Sequence, residues 1–185
     1  MRAFIGIDFT NELKDEISKL QNILRPLASS GRWKYRDNFH LTLKFLGDID
    51  ENAVKCIDEE LRSITGQKAG FKLRISEVGK FPGRENIRVL WLGVDGDMRN
   101  LFDLQREIET RMQTCGFESE KRRYSPHVTI AQDVVFNRNF EEIRGLFGGI
   151  RFTEIIADRI CLFKSEQIGN KRVYTPVREY LLKNR

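Results

Sequence analysis

The chain has 185 residues, 40% of them hydrophobic, and 32 Lys and Arg against 27 Asp and Glu give a formal net charge of +5. That length supports a hydrophobic core without staples, and no apolar run is long enough to cross a bilayer as a helix, so the expectation is a soluble, cytoplasmic protein with no membrane partner. The positive surplus favours an anionic partner and says nothing about fold.

In chain order, Met1 to Asp8 contains an apolar run too short for a signal peptide and reads as a buried strand. Leu13, Ile17, Leu20 and Leu24 recur at helical spacing, and Pro26 with Ser29, Ser30 and Gly31 marks the exit. Phe39 to Leu46 alternates and reads as a strand closed by Gly47-Asp48. Asp50 offers the N-cap of a helix carrying Val54, Ile57, Leu61 and Ile64. Phe71, Leu73 and Ile75, then Ile87 to Val94, predict a hairpin turning at Pro82-Gly83-Arg84. A helix through Leu101, Leu104, Ile108 and Met112 ends near Gly116. A second histidine strand follows, then a short helix over 140–147 and two strands over 155–163 and 172–182. The order β-α-β-α-β-β-α-β-α-β-β predicts an α+β fold with largely antiparallel sheets, treated as one domain over 1–185. Cys56, Cys115 and Cys161 are odd in number and lack any C-x-x-C pattern, which predicts reduced thiols in a reducing compartment and neither metal nor redox roles.

The chain's only two histidines occupy one frame twice, His40-Leu41-Thr42-Leu43 and His127-Val128-Thr129-Ile130. A period of two puts each histidine and its threonine on one face, with Lys44 continuing the face of His40. A single histidine of this kind is ordinarily structural, but a repeated His-x-Thr pair points to a shared site. Imidazole titrates near neutrality, so one ring can accept a proton while another donates one, and two hydroxyls suit a phosphodiester. Neither a third orienting motif for a serine-type triad nor an H-x-x-x-H metal pattern accompanies them, so no metal or cofactor is expected. Arg32, Lys34 and Arg36 alternate with Trp33 and Tyr35 before the first motif. Lys121, Arg122, Arg123 and Tyr124 precede the second, and Phe81, Arg84 and Arg88 surround the hairpin. Basic residues interleaved with aromatics suit a nucleic-acid backbone and unpaired bases.

The stretches Phe39-His40-Leu41-Thr42-Leu43-Lys44-Phe45-Leu46-Gly47 and Ser125-Pro126-His127-Val128-Thr129-Ile130 resemble the paired signature of the two-histidine phosphoesterases. The nearest likeness is to bacterial and archaeal RNA 2′,3′-cyclic phosphodiesterases, historically called 2′-5′ RNA ligases, and it extends over nearly the whole chain. The resemblance implies a bilobal LigT-like fold, with two mostly antiparallel sheets facing a central cleft, helices outside and one motif on each lobe. It also implies that His40 is the proton donor, His127 the acceptor, and Thr42 and Thr129 the phosphate contacts. Lys44, Phe81, Arg88, Arg123 and Tyr124 complete the expected substrate-binding set. The expected substrate is an RNA or oligonucleotide with a 2′,3′-cyclic phosphate end, opened to a 2′-phosphomonoester by a monomer. Hydrolysis of a small cyclic nucleotide or a 2′-5′ linkage, 2′-5′ ligation, and RNA binding without chemistry remain alternatives. One departure stands out: relatives commonly carry a basic residue shortly after the second motif, where this chain has Ala131-Gln132-Asp133. Lys44, Arg123 and Lys164 are the candidates to supply that charge.

Overall fold

A computed structural model describes residues 1–184. Nine strands and four helices follow one another among these residues as β1 (Arg2–Asp8), α1 (Asn11–Leu24), β2 (Ala28–Trp33), β3 (His40–Asp48), α2 (Glu51–Thr65), β4 (Phe71–Pro82), β5 (Ile87–Gly96), α3 (Met98–Thr114), β6 (His127–Phe136), α4 (Phe140–Gly145), β7 (Ile155–Ala157), β8 (Arg159–Ile168) and β9 (Lys171–Leu181). The strands form two antiparallel sheets, ordered β3-β1-β8-β9 and β2-β6-β5-β4-β7. Each sheet carries one histidine motif, on β3 and β6, and those two strands are neighbours in space. The fold class is α+β, as the order of elements and the resemblance implied.

Local chemistry sets the helix starts. The side chains of Thr10, Asp50, Asp97 and Asn139 each accept from a first-turn N–H, satisfying donors that the helix itself leaves unpaired. Leu13, Ile17, Leu20 and Leu24 of α1, and Leu101, Leu104, Ile108 and Met112 of α3, are fully or almost fully buried in one continuous core with Ile5, Ile7, Leu41, Val128 and Ile130.

Three expectations need correction. The polar exit from the first helix contains a strand, β2, at the edge of the larger sheet, where it pairs with β6. The strand expected over 155–163 is two strands: β7 pairs with β4, and past Asp158 the chain enters the other sheet as β8. The cysteines are not all thiols, because Cys56 of α2 and Cys115 at the end of α3 form a disulfide, leaving Cys161 free and buried. Two helices packed side by side bring together sulfurs that lie 59 residues apart in the chain. An argument from free thiols to a reducing compartment therefore fails for that pair.

Candidate active site

The first frame lies on an edge strand beside β1. Asp8 faces His40, Ile7 faces Leu41 and Gly6 faces Thr42, but Ile5 then faces Lys44, so Leu43 is an extra residue in the ladder. Cross-strand partners share a face, and Ile5 and Ile7 point into the core. The bulge therefore turns Lys44 to the side of Leu41, away from His40, and turns Phe45 to the histidine side. This reverses the expectation that Lys44 continues the face of His40. Lys44 is 5% exposed and its ammonium donates to Glu109 Oε1 at 2.6 Å and to the Glu118 carbonyl at 3.0 Å. Phe45 is 73% exposed.

The second frame repeats the device. Gly93 faces His127, Leu92 faces Val128 and Trp91 faces Thr129, but Leu90 then faces Ala131, which makes Ile130 the extra residue. Gln132, opposite Val89, thereby returns to the face of His127 and Thr129. A bulge leaves a carbonyl out of register, and a glutamine donates to it in both places, at Ile130 alongside the Lys34 N–H. Gln21 Nε2 of α1 donates to the Ile130 carbonyl at 2.7 Å, and Gln105 Nε2 of α3 donates more distantly, at 3.4 Å, to the Leu43 carbonyl.

Each imidazole is oriented by a carbonyl two residues before it. The Asn38 carbonyl lies 2.7 Å from His40 Nδ1, and the Ser125 carbonyl lies 2.7 Å from His127 Nδ1. A carbonyl only accepts, so Nδ1 carries the hydrogen in both rings and the neutral form presents a bare Nε2. Thr42 Oγ1 is 2.9 Å from His40 Nε2 and donates to it in that state. Buried Asn38 is itself anchored, giving Nδ2–H to the Arg172 carbonyl at 2.6 Å and accepting from the Tyr174 N–H at 3.0 Å.

The surroundings of the rings differ. His40 packs against Phe4 at 4.6 Å, Tyr174 at 5.2 Å and Phe163 at 5.7 Å between ring centroids. Burial there pushes its pKa down to about 4; the Asn38 carbonyl and Asp8 act the other way, and Lys34 and Lys14 add to the lowering. His127 meets Phe81 edge-on at 5.0 Å and Trp91 at 6.4 Å, and burial lowers its pKa while the Ser125 carbonyl opposes the shift. Trp91 reaches this position by lying over Gly79, its partner on β4, where a Cβ would come within 2.1 Å of the indole.

A cleft of about 950 Å³ runs beside the motifs, walled by Thr42, Phe45, Phe81, Arg88, Arg123, Tyr124 and His127 among others. His40 and Thr129 are not on that wall. Arg88 and Arg123 are exposed with no ion-pair partner among the described residues. Tyr124 donates its hydroxyl to the Thr42 carbonyl at 2.8 Å, and burial raises its pKa far above the usual phenol range, so it braces the motif as a neutral group. Of the candidates for the missing positive charge, Lys44 is consumed by Glu109 and Lys164 pairs with Glu166 at 2.6 Å. Lys34, seen in the sequence only as part of a basic cluster, places its ammonium 3.2 Å from Gln132 Oε1. No group of three or more His, Cys, Asp or Glu that could hold a metal ion occurs among the described residues.

Comparison with known proteins follows the same two-fold pattern. A family model described as LigT like Phosphoesterase matches the chain twice, over residues 7–91 and 92–174, one match for each motif. The RNA 2′,3′-cyclic phosphodiesterase of Methanothermobacter thermautotrophicus is 31% identical, with 98% of this chain and 99% of that protein covered. The protein of that name from Methanocaldococcus jannaschii is also 31% identical, over 97% of this chain and 100% of its own. Among solved structures, E. coli LigT complexed with 3′-AMP superposes with a TM-score of 0.82 at 24% identity, over 99% of this chain and 98% of that one, which is a likeness of fold.

Proposed function

The chain belongs to the LigT-like phosphoesterase family, and from that premise we propose how its two motifs divide the hydrolysis of RNA 2′,3′-cyclic phosphodiester ends to 2′-phosphomonoesters. It is an enzyme of the cyclic phosphodiesterase type. The observation that carries the division of labour is that two His-x-Thr frames, each with the same bulge and the same carbonyl-held Nδ1, present two Nε2 atoms in different surroundings.

His127 serves as the base. Its ring stands on the wall of the cleft, and its bare Nε2 takes a proton from water as the water oxygen attacks phosphorus. The bond from phosphorus to the ribose 3′ oxygen breaks, and His40 returns a proton from its own Nε2 to that oxygen, leaving a 3′ hydroxyl and a 2′ phosphate. His40 is neutral at pH 7 in the free protein, so it must take up a proton from solvent as the substrate binds. An anionic phosphodiester beside the ring favours the imidazolium and raises its pKa. Once Nε2 is protonated it no longer accepts from Thr42, whose hydroxyl then turns to a phosphate oxygen, as Thr129 does from the other lobe. Phe81 and Phe45 offer faces to a terminal base, and Arg88 and Arg123 offer charge to the preceding backbone.

The test is turnover on an oligonucleotide with a 2′,3′-cyclic phosphate end, with the product phosphate located. His40→Ala and His127→Ala should each lower kcat by a factor on the order of a hundred or more with the circular dichroism spectrum unchanged. Wild-type turnover in both variants would overturn the assignment, and salt-sensitive RNA binding without any turnover would favour the non-catalytic reading.

A further inference from the structure

Lys34 is a cation without a counter-ion among the described residues. It follows the last residue of β2, where its N–H donates to the Ile130 carbonyl at 2.9 Å, and the buried Gln21 amide donates to the carbonyls of both Lys34 and Ile130, at 2.9 and 2.7 Å. Arg32 lies opposite Gln132, so Lys34, two residues on, returns to the face shared by Gln132, Thr129 and His127. Its ammonium meets the Gln132 oxygen at 3.2 Å. No carboxylate lies within ion-pair distance of it among the described residues, since Asp133 is taken by Arg32, and Arg32 and Arg172 add charge of the same sign. Burial and those two neighbours lower the Lys34 pKa. An ammonium half out of water, held by one neutral acceptor and flanked by two guanidinium groups, is a place for an anion.

We propose that Lys34, held in place by Gln132, is the cation that receives the substrate phosphodiester. The proposal rests on the hydrolase reading above and adds a residue to it. Gln132 acts as a positioning residue: its carbonyl oxygen accepts from the ammonium and aims it along the face of Thr129. The arrangement also links the two lobes. Lys34 opposes a positive charge on His40, alongside Lys14 and against Asp8, while the aromatic neighbours Phe4, Phe163 and Tyr174 carry no formal charge. A phosphodiester seated on Lys34 cancels that opposition, so substrate capture by the second lobe prepares the proton on the first.

Three variants test it against wild type on a cyclic-phosphate oligonucleotide, with inorganic phosphate as a separate binding probe followed by calorimetry. Lys34→Met should raise KM about tenfold or more and weaken phosphate binding in parallel. Lys34→Arg should retain most of both, and Lys34→Met combined with Gln132→Arg should recover a substantial part by returning a cation from the neighbouring strand. The high-pH limb of kcat/KM should also move upward in Lys34→Met, a shift that loss of packing alone would not produce. Unchanged KM and phosphate affinity in folded Lys34→Met would overturn the proposal, as would a double variant no better than the single. A wild type that binds phosphate through Lys34 but leaves cyclic ends intact would support Lys34 and overturn the hydrolase reading instead.

Discussion

Over His40–Lys44 and His127–Ala131 the two motif strands bury and expose their side chains in the same order, and each breaks its ladder at the fourth residue. Past the bulge they part. The first strand turns Lys44 inward to Glu109 and leaves Phe45 on the cleft, whereas the second turns Ala131 inward and leaves Gln132 on the face of His127 and Thr129, with the Lys34 ammonium at its oxygen. The frame therefore fixes where an imidazole and a hydroxyl stand, and the residues around it decide what the imidazole does. His40, behind three aromatic rings, accepts a hydrogen bond from the Thr42 hydroxyl, while His127 stands at the cleft with no hydrogen bond to Nε2 among the described residues.

The sharpest way to break this comparison is to remove the need for an acid. A phosphodiester with an aryl leaving group departs without a proton, so His40→Ala should recover most of its loss of a hundredfold or more on such a substrate while His127→Ala should not. Equal recovery in both variants would mean that the two rings are interchangeable. A smaller effect concerns pH. Because kcat/KM reports the free enzyme, which under the proposed roles holds His40 protonated and His127 neutral, and both pKa values lie below 6.5, kcat/KM should fall about tenfold per unit above pH 6.5. The kcat profile, which reports the bound complex, should stay level to higher pH; a flat kcat/KM from 6.5 to 8 would contradict the desolvated His40. The smallest effect separates the two glutamines. Gln21→Ala strips a donor from two carbonyls and should cost about 1–3 kcal/mol in urea unfolding, against less than about 1 kcal/mol for Gln105→Ala with its longer bond. Equal costs would show that bond length does not distinguish the lobes.

Much of this was legible in the residues. The His-x-Thr frames could be read because alternation survives any detail of pairing, and the N-cap Asp50 because a cap acts locally. The bulges could not be read. An extra residue in a ladder leaves no mark on hydropathy, since Leu43 and Ile130 are as apolar as their neighbours, and a count of two carried Lys44 to the wrong face. The strand β2 was hidden because Ser29, Ser30 and Gly31 have the composition of a turn, and edge pairing with β6 overrode that preference. Lys34 and Gln132 lie 98 residues apart, and the disulfide pairing of Cys56 with Cys115 spans 59. Spacing along the chain carries no information about such partners.

The glutamine that completes each motif strand comes from the opposite half of the chain. Gln21 precedes β3 and serves β6 across 109 residues, while Gln105 follows β5 and serves β3 across 62. A cut between β5 and α3 would leave the first fragment without Gln105 and Glu109, and the second without Gln21 and Lys34. Folding must therefore close one long loop for each motif strand before both are finished, which places assembly of the cleft late and makes its formation costly in chain entropy.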